Sequence, residues 1–341
     1  MKKGTAAALI FAGLALILDS RCAAEAALEA LSLCARTLIP GLFPLLVVAG
    51  MLVPGLSGLR MGPLARLLGL PRGGEGIWLL GLLGGFPVGA AAISQGVRNG
   101  SVDKRDGARM LGLCSQCGPA FLFGVLPQFL PMEQVVMLFL IQIESALLVG
   151  TFWPGGSNRS LSPAGKAVSL PEAVSRAISA MLSVCAWVVL AAVMTGFLRR
   201  WLFPLMPDVV GLVLTGLLEL TNGIFALPEE NRFVLATLFV CFGGISVLLQ
   251  IAGLASEAGL STKTCLAQKA AQAVIGLLTA LGCARFGPAA LLLISGLLLR
   301  KLWWKFHPVW CIIPGKGRDQ DAVSKKDGAV LPVLPLRHPD E

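Results

Sequence analysis

The chain has 341 residues, 55% of them hydrophobic and only 14% charged, with a mean hydropathy of +0.79. Soluble domains carry about 25% charged residues, so too little charge is present to coat globular surfaces, and lipid is the expected solvent. The net charge of +9 does not point to nucleic acid, because the basic residues sit in short connections and a tail rather than in a stripe with stacking aromatics.

Met1-Lys2-Lys3 and the apolar run Ala6 to Leu18 have the layout of a signal peptide. Asp19-Ser20-Arg21 ahead of Cys22 form no lipobox, so an uncleaved first transmembrane helix is expected. Residues 22–36, with Glu25, Glu29 and Arg36 among alanines and leucines, read as an amphipathic helix. A crossing needs about 20 apolar residues. Candidates lie at 4–18, 37–54, 77–97, 107–130, 132–152, 177–198, 208–227, 231–254, 266–284 and 287–304. A Gly-, Ser- and Pro-rich linker, 154–172, divides a first repeat, 37–153, from a second, 173–304. Residues 1–36 precede both, and 305–341 form a basic tail expected to be cytoplasmic and disordered.

Lysine and arginine positions test this count, since cytoplasmic loops collect them. Ten crossings from a cytoplasmic start would put 17 of the 28 basic residues inside and 11 outside, with Arg98, Lys104, Arg105 and Arg109 on the wrong face. Two candidates contain breakers, Gly84 to Gly89 and Glu219 to Gly223. If both enter and return on one side, the division becomes 22 inside and 6 outside, with both termini cytoplasmic. The resulting fold class is an all-α polytopic membrane protein with about eight crossings and two re-entrant helical hairpins in an inverted repeat. Its substrate site would lie near the midplane.

Unwound backbone at membrane depth implies a covered or wet interior. The expected interruptions are Gly84 to Gly89, Gly118-Pro119, Asn222-Gly223 and Gly243-Gly244, paired with Ser94, Gln95, Ser115, Gln116, Thr221 and Gln250. Their free N–H and C=O groups, with half-helix dipoles, suit a polar or anionic solute. The alternative is that these glycines only permit close helix packing. Glu219 is the sharpest single residue, because a charge near the bilayer centre costs at least about 2.5–3.5 kcal/mol. It could couple a cation or hydrogen-bond a solute, or cap a helix end. Glu144, near Gln142 and Ser145, suits an interhelical hydrogen bond, and Arg109 a helix start at the interface.

No catalytic constellation, metal set or cofactor motif is present: HExxH, GxSxG and P-loop patterns are absent, and the histidines are His307 and His338 alone. Cys114 and Cys117 have CxxC spacing but no second pair nearby, and read as small packing residues. A membrane transporter, not an enzyme, is therefore the expected class.

Three runs in the first half, Leu38 to Pro44, Gly85 to Ala90 and Cys114 through Gly118-Pro119-Ala120-Phe121 with Gly124, resemble the YlbJ-like sporulation integral membrane proteins. Gly216 to Gly223 and Gly243 to Val247 with Gln250 extend the resemblance over about residues 25–300. That family belongs to the nucleoside-recognition or gate-domain group. The resemblance implies dipicolinate movement from the mother cell toward the forespore. By motif, the implied substrate site comprises Gly85, Phe86, Pro87, Gly89, Ser115, Gln116, Gly118, Pro119, Glu219, Thr221, Asn222, Gly223, Gly243, Gly244 and Gln250. Two departures stand out: Ser115-Gln116-Cys117 replaces an Asn-rich stretch, and Phe86 stands where Tyr is usual. Alternatives are a non-transporting sporulation scaffold and a nucleoside-type carrier. Expected partners are the solute, lipid, and either further copies or other sporulation membrane proteins.

Overall fold

The computed structural model describes residues 3–56, 65, 68–71, 73–153, 168–292, 295–297 and 300. The tail 305–341, most of the linker 154–172 and part of the candidate crossing 287–304 lie outside the described residues. Among the described residues the chain is all-helical, with no strand.

Helix α1 (Lys3–Leu18) ends at Asp19, whose carboxylate accepts the Cys22 N–H at 3.4 Å and so caps α2 (Ser20–Leu33). The amphipathic stretch is not a separate element. Helix continues through a π-turn, Cys34–Leu38, into α3 (Ile39–Leu56). Pro40 accounts for the π-turn. It has no N–H for the Arg36 carbonyl and its ring crowds that group, so the Ile39 N–H reaches back to the Cys34 carbonyl and absorbs the mismatch.

The first half continues with α4 (Gly74–Gly84), α5 (Phe86–Arg98), α6 (Lys104–Cys114), α7 (Pro119–Gly124) and α8 (Met132–Phe152). The second half contains α9 (Leu170–Trp201), α10 (Asp208–Leu218), α11 (Leu220–Phe225), α12 (Arg232–Phe242), α13 (Ile245–Glu257) and α14 (Lys263–Phe286). Each half thus has a long helix, a reversing pair, an interrupted helix and a second long helix.

The reversals follow from close glycine contacts. A Cβ on Gly89 would lie 3.0 Å from the Gly81 Cα, although eight residues of continuous helix would separate them by about 12 Å. Helices α4 and α5 therefore fold back on each other, and both press on the Cys114 carbonyl. Likewise a Cβ on Gly223 would fall 2.2 Å from the Gly216 Cα, so α10 and α11 fold back at Glu219. Two expected breaks are thereby corrected. The first narrows from Gly84–Gly89 to Gly85 alone, because Phe86 resumes helix at once. The second is not Asn222-Gly223, which lies inside α11, but Glu219, whose carboxylate caps the new helix.

Among the described residues, five stretches are long and apolar enough to cross a membrane: Ser20–Val48, Met132–Phe152, Leu170–Trp201, Arg232–Glu257 and Lys263–Phe286. Apolar side chains such as Ile17, Leu182, Leu190 and Leu278 point outward, as a lipid-facing surface requires.

Arginine contacts mark two ends of the bundle. At one end Arg98 donates to Glu257 at 2.5 Å, and Arg109 donates to the Trp153 carbonyl at 2.7 Å and to that of Gly69. At the other end Arg200 pairs with Asp19 at 3.0 Å, and Arg232 donates to the Phe129 and Leu227 carbonyls. Glu144 is half-buried and accepts from the Ser295 hydroxyl, an interhelical bond.

Candidate functional site

Gly85 has φ +83°, a backbone closed to L side chains, and opens α5 at the hairpin tip. Gly118 lies against it, where a Cβ would be 3.0 Å from the Gly85 nitrogen. The second half repeats the arrangement. Gly244, with φ +85°, opens α13, and a Cβ there would be 3.1 Å from the Leu220 nitrogen and 3.4 Å from the Glu219 Cα. The two arrangements meet where Gly243 faces the Phe86 ring, its added Cβ 3.0 Å away. Four interruptions, two from each half, thus share one point.

A chamber of about 90 Å³ lies at that point, lined by Gly85, Phe86, Gly118, Glu219, Thr221 and Gln250. Leu42 and Leu46 of α3 and Val184 and Val188 of α9 supply apolar walls. Helices α5 and α13 are each 13 residues long, start at this point, and have no side chain capping their first N–H groups. The positive ends of their dipoles meet there. Glu219 is 3% exposed and accepts the Asn222 N–H at 2.7 Å, with further bonds from the Thr221 backbone and hydroxyl. Among the described residues no cation pairs with its carboxylate.

Wider cavities flank the chamber along α9. One, of about 620 Å³, is bordered by Arg176, Ser183 and Trp187 of α9 together with Gln95, Gln250 and Glu257. The other, of about 480 Å³, is bordered by Thr195 and Arg199 of α9 with Glu29 and Asn222. Ala180, Val184 and Val188 border the chamber between them, so the three spaces follow one helix in series.

Behind the chamber, residues 115–118 leave helix, and their carbonyls need donors. Gln142 of α8 donates to the Cys117 carbonyl at 2.9 Å. Lys269 of α14 donates to the Ser115 carbonyl at 2.9 Å and to Gln272 at 2.9 Å. Gln272 donates to Gln116 at 2.8 Å and to the Gln142 carbonyl at 3.1 Å. Lys269 is fully buried, and its Nζ lies 5.3 Å from the centre of the Phe86 ring.

The residues singled out from sequence divide by location. Gly85, Phe86, Gly118, Glu219, Thr221 and Gln250 converge on the chamber. Ser115 and Gln116 do not; they serve the wall behind it, because their segment turns its polar groups toward α14. Asn222 borders the neighbouring cavity instead. Gly89 and Gly223 close the hairpins, and Gly243 and Gly244 abut Phe86 and Leu220. Pro87 and Pro119 occupy first-turn positions of α5 and α7, where their missing N–H groups cost nothing. Ser94 is buried on α5, and Gln95 borders the wider cavity. The thiols of Cys114 and Cys117 are free and buried.

Lys269 and Gln272 were not singled out from sequence. Their signal was a cation and an amide three residues apart inside an apolar run. No family model matches the chain, and neither a curated protein nor a solved structure shows significant similarity to it.

Proposed function

We propose that this chain is a multi-pass membrane transporter for a small polar anion, with both termini on the cytoplasmic face of the cell membrane. The observation that carries this reading is the meeting of two uncapped 13-residue half-helices, α5 and α13, at one buried chamber. Helix N-termini attract anions, and broken helices at mid-membrane are a recurrent substrate device.

In this reading α4–α5 and α10–α11 are re-entrant hairpins from opposite faces, leaving eight crossings in two inverted halves. Side-chain pairing supports it. Ten uninterrupted crossings would put the connections bearing Arg98 and Glu257 on opposite faces, yet the two side chains pair at 2.5 Å. The cavity beside Arg176 would then open toward the cytoplasm and the one beside Arg199 toward the other side. The narrow chamber would be the barrier between them.

The proposed solute is dipicolinate or a similar planar heterocyclic anion, exported during sporulation. One observation favours a second reading, a nucleoside-type carrier: the Glu219 carboxylate lines the chamber and would accept from hydroxyl or amino groups. Uptake of labelled dipicolinate and of nucleosides into liposomes containing the purified protein separates the readings. Dipicolinate uptake is expected. Nucleoside uptake alone would favour the second reading, and uptake of neither would point to a scaffold.

A further inference from the structure

We propose that Lys269 is the charge by which the chamber selects an anionic solute over a neutral one, with the Phe86 ring as its movable cover. This rests on the transporter reading above and names the group that recognises the solute's charge.

Lys269 is 0% exposed. Its ammonium has three donors, and two are used on the Ser115 carbonyl and the Gln272 amide oxygen, each at 2.9 Å. The face of Phe86 lies on the remaining side, 5.3 Å from Nζ to the ring centre. The ionisable groups that face Lys269 are the thiols of Cys117, Cys241 and Cys265, from the interrupted segment, α12 and α14. Among the described residues no carboxylate forms an ion pair with it. Buried charges in proteins are ordinarily paired, so this site lacks one negative charge.

A purely structural role would not need that charge. Holding a carbonyl of the interrupted segment is within reach of a neutral amide, as Gln142 shows by donating to the Cys117 carbonyl at 2.9 Å. The charge of Lys269 is therefore surplus to the task of supporting the break. The space where a counter-anion could sit is the chamber, which Phe86 also lines. Rotation of the Phe86 ring would bring Nζ and the uncapped N-termini of α5 and α13 onto the same anion. Glu219 does not fill that role, because its carboxylate is held by the Asn222 and Thr221 donors of α11.

The test is calorimetric titration of the full chain in nanodiscs with pyridine-2,6-dicarboxylate and with its neutral diamide. The unmodified protein should bind the dianion in preference to the diamide. Lys269→Gln should lower that preference about tenfold while leaving diamide binding in place, and Lys269→Arg should retain it. An unchanged preference in Lys269→Gln, or an equal loss of both probes, overturns the proposal and leaves Lys269 a structural residue. No dianion preference in the unmodified protein, with the diamide still bound, overturns it as well. Binding of neither probe by the unmodified protein instead overturns the underlying reading of a carrier for dipicolinate or a similar anion. Should Lys269→Gln not elute as a folded species, Phe86→Leu decides, since it keeps the charge and removes the cover. A raised dianion preference supports the proposal, and an unchanged one overturns it.

Discussion

Arg98 donates to Glu257 at 2.5 Å and so ties the far end of α5 to the far end of α13. The two helices also begin together, where Phe86 meets Gly243. They therefore run side by side from the chamber to one end of the bundle. An exposed pair of this kind adds at most about 1 kcal/mol, so its value here is as a marker of topology rather than of stability. In a background without native cysteines, Asn99→Cys and Ser261→Cys should both resist an impermeant maleimide added to intact cells. Leu205→Cys, at the opposite end of the bundle, should react. Labelling of Asn99→Cys but not Ser261→Cys would restore the ten-crossing plan.

Glu219 combines a capping role with a place in the chamber, and two substitutions separate these. Replacement by Ala removes the acceptor for the Asn222 N–H and should cost about 1 kcal/mol of stability. Gln keeps an acceptor and should cost less, yet lacks the ionisable carboxyl group that would couple a cation to transport and should abolish uptake. Asn222→Ala should have the smaller effect on uptake, because its side chain reaches only the Val188 carbonyl at 3.4 Å and borders the adjoining cavity. Unfolding temperature and liposome uptake measured together check the ordering. Undiminished uptake by folded Glu219→Gln would remove this residue from the site.

Much of the architecture was legible in the sequence because glycine and proline act locally. Gly85 and Gly243-Gly244 end helices by adopting positive φ, and Pro119 starts one, so these interruptions appear in the residue types themselves. The amphipathic stretch reads as a helix ahead of the crossing at 37, whereas a π-turn five residues long carries helix past Pro40 and joins the two. Asn222-Gly223 looked like a break, but the acceptor that starts α11 is three residues earlier, at Glu219. Lys269 was missed for a different reason. Its partners Ser115 and Gln272 are 154 and 3 residues away, and only tertiary packing brings the first of them beside the second. A lysine near the start of an apolar run reads as interfacial until that packing is known.

Gly81 and Gly89 should be far less tolerant than glycines elsewhere on the same helices' neighbours. A Cβ at either would lie 1.6 or 1.9 Å from the Cys114 carbonyl oxygen, a backbone atom that cannot swing aside. Alanine at each position should cost at least about 1–3 kcal/mol, the range for overpacking. Gly253, on α13, has nothing within 4 Å of its added Cβ. Alanine there should be neutral or stabilise by about 0.5–1 kcal/mol through helix propensity. Thermal unfolding of the three variants in detergent checks this, and equal behaviour would show that the hairpin does not close on Cys114.

The wall behind the chamber predicts an order of losses among its amides. Gln142→Leu removes one donor, that of the Cys117 carbonyl, and also removes an amide oxygen which has no partner of its own. The two effects offset in part, so the cost should be about 1 kcal/mol. Gln272→Leu is worse, because it strips the Gln116 oxygen and the Gln142 carbonyl of a donor and Lys269 of an acceptor. Interhelical hydrogen bonds in membranes average only about 0.6 kcal/mol each, but these leave buried groups unpaired and one of them is charged. A loss of about 3 kcal/mol is therefore expected for Gln272→Leu. The double variant should lose less than the sum of the two, since both act on the same interrupted segment. Additive losses, or a milder effect at Gln272 than at Gln142, would mean that α14 does not hold residues 115–118 in place.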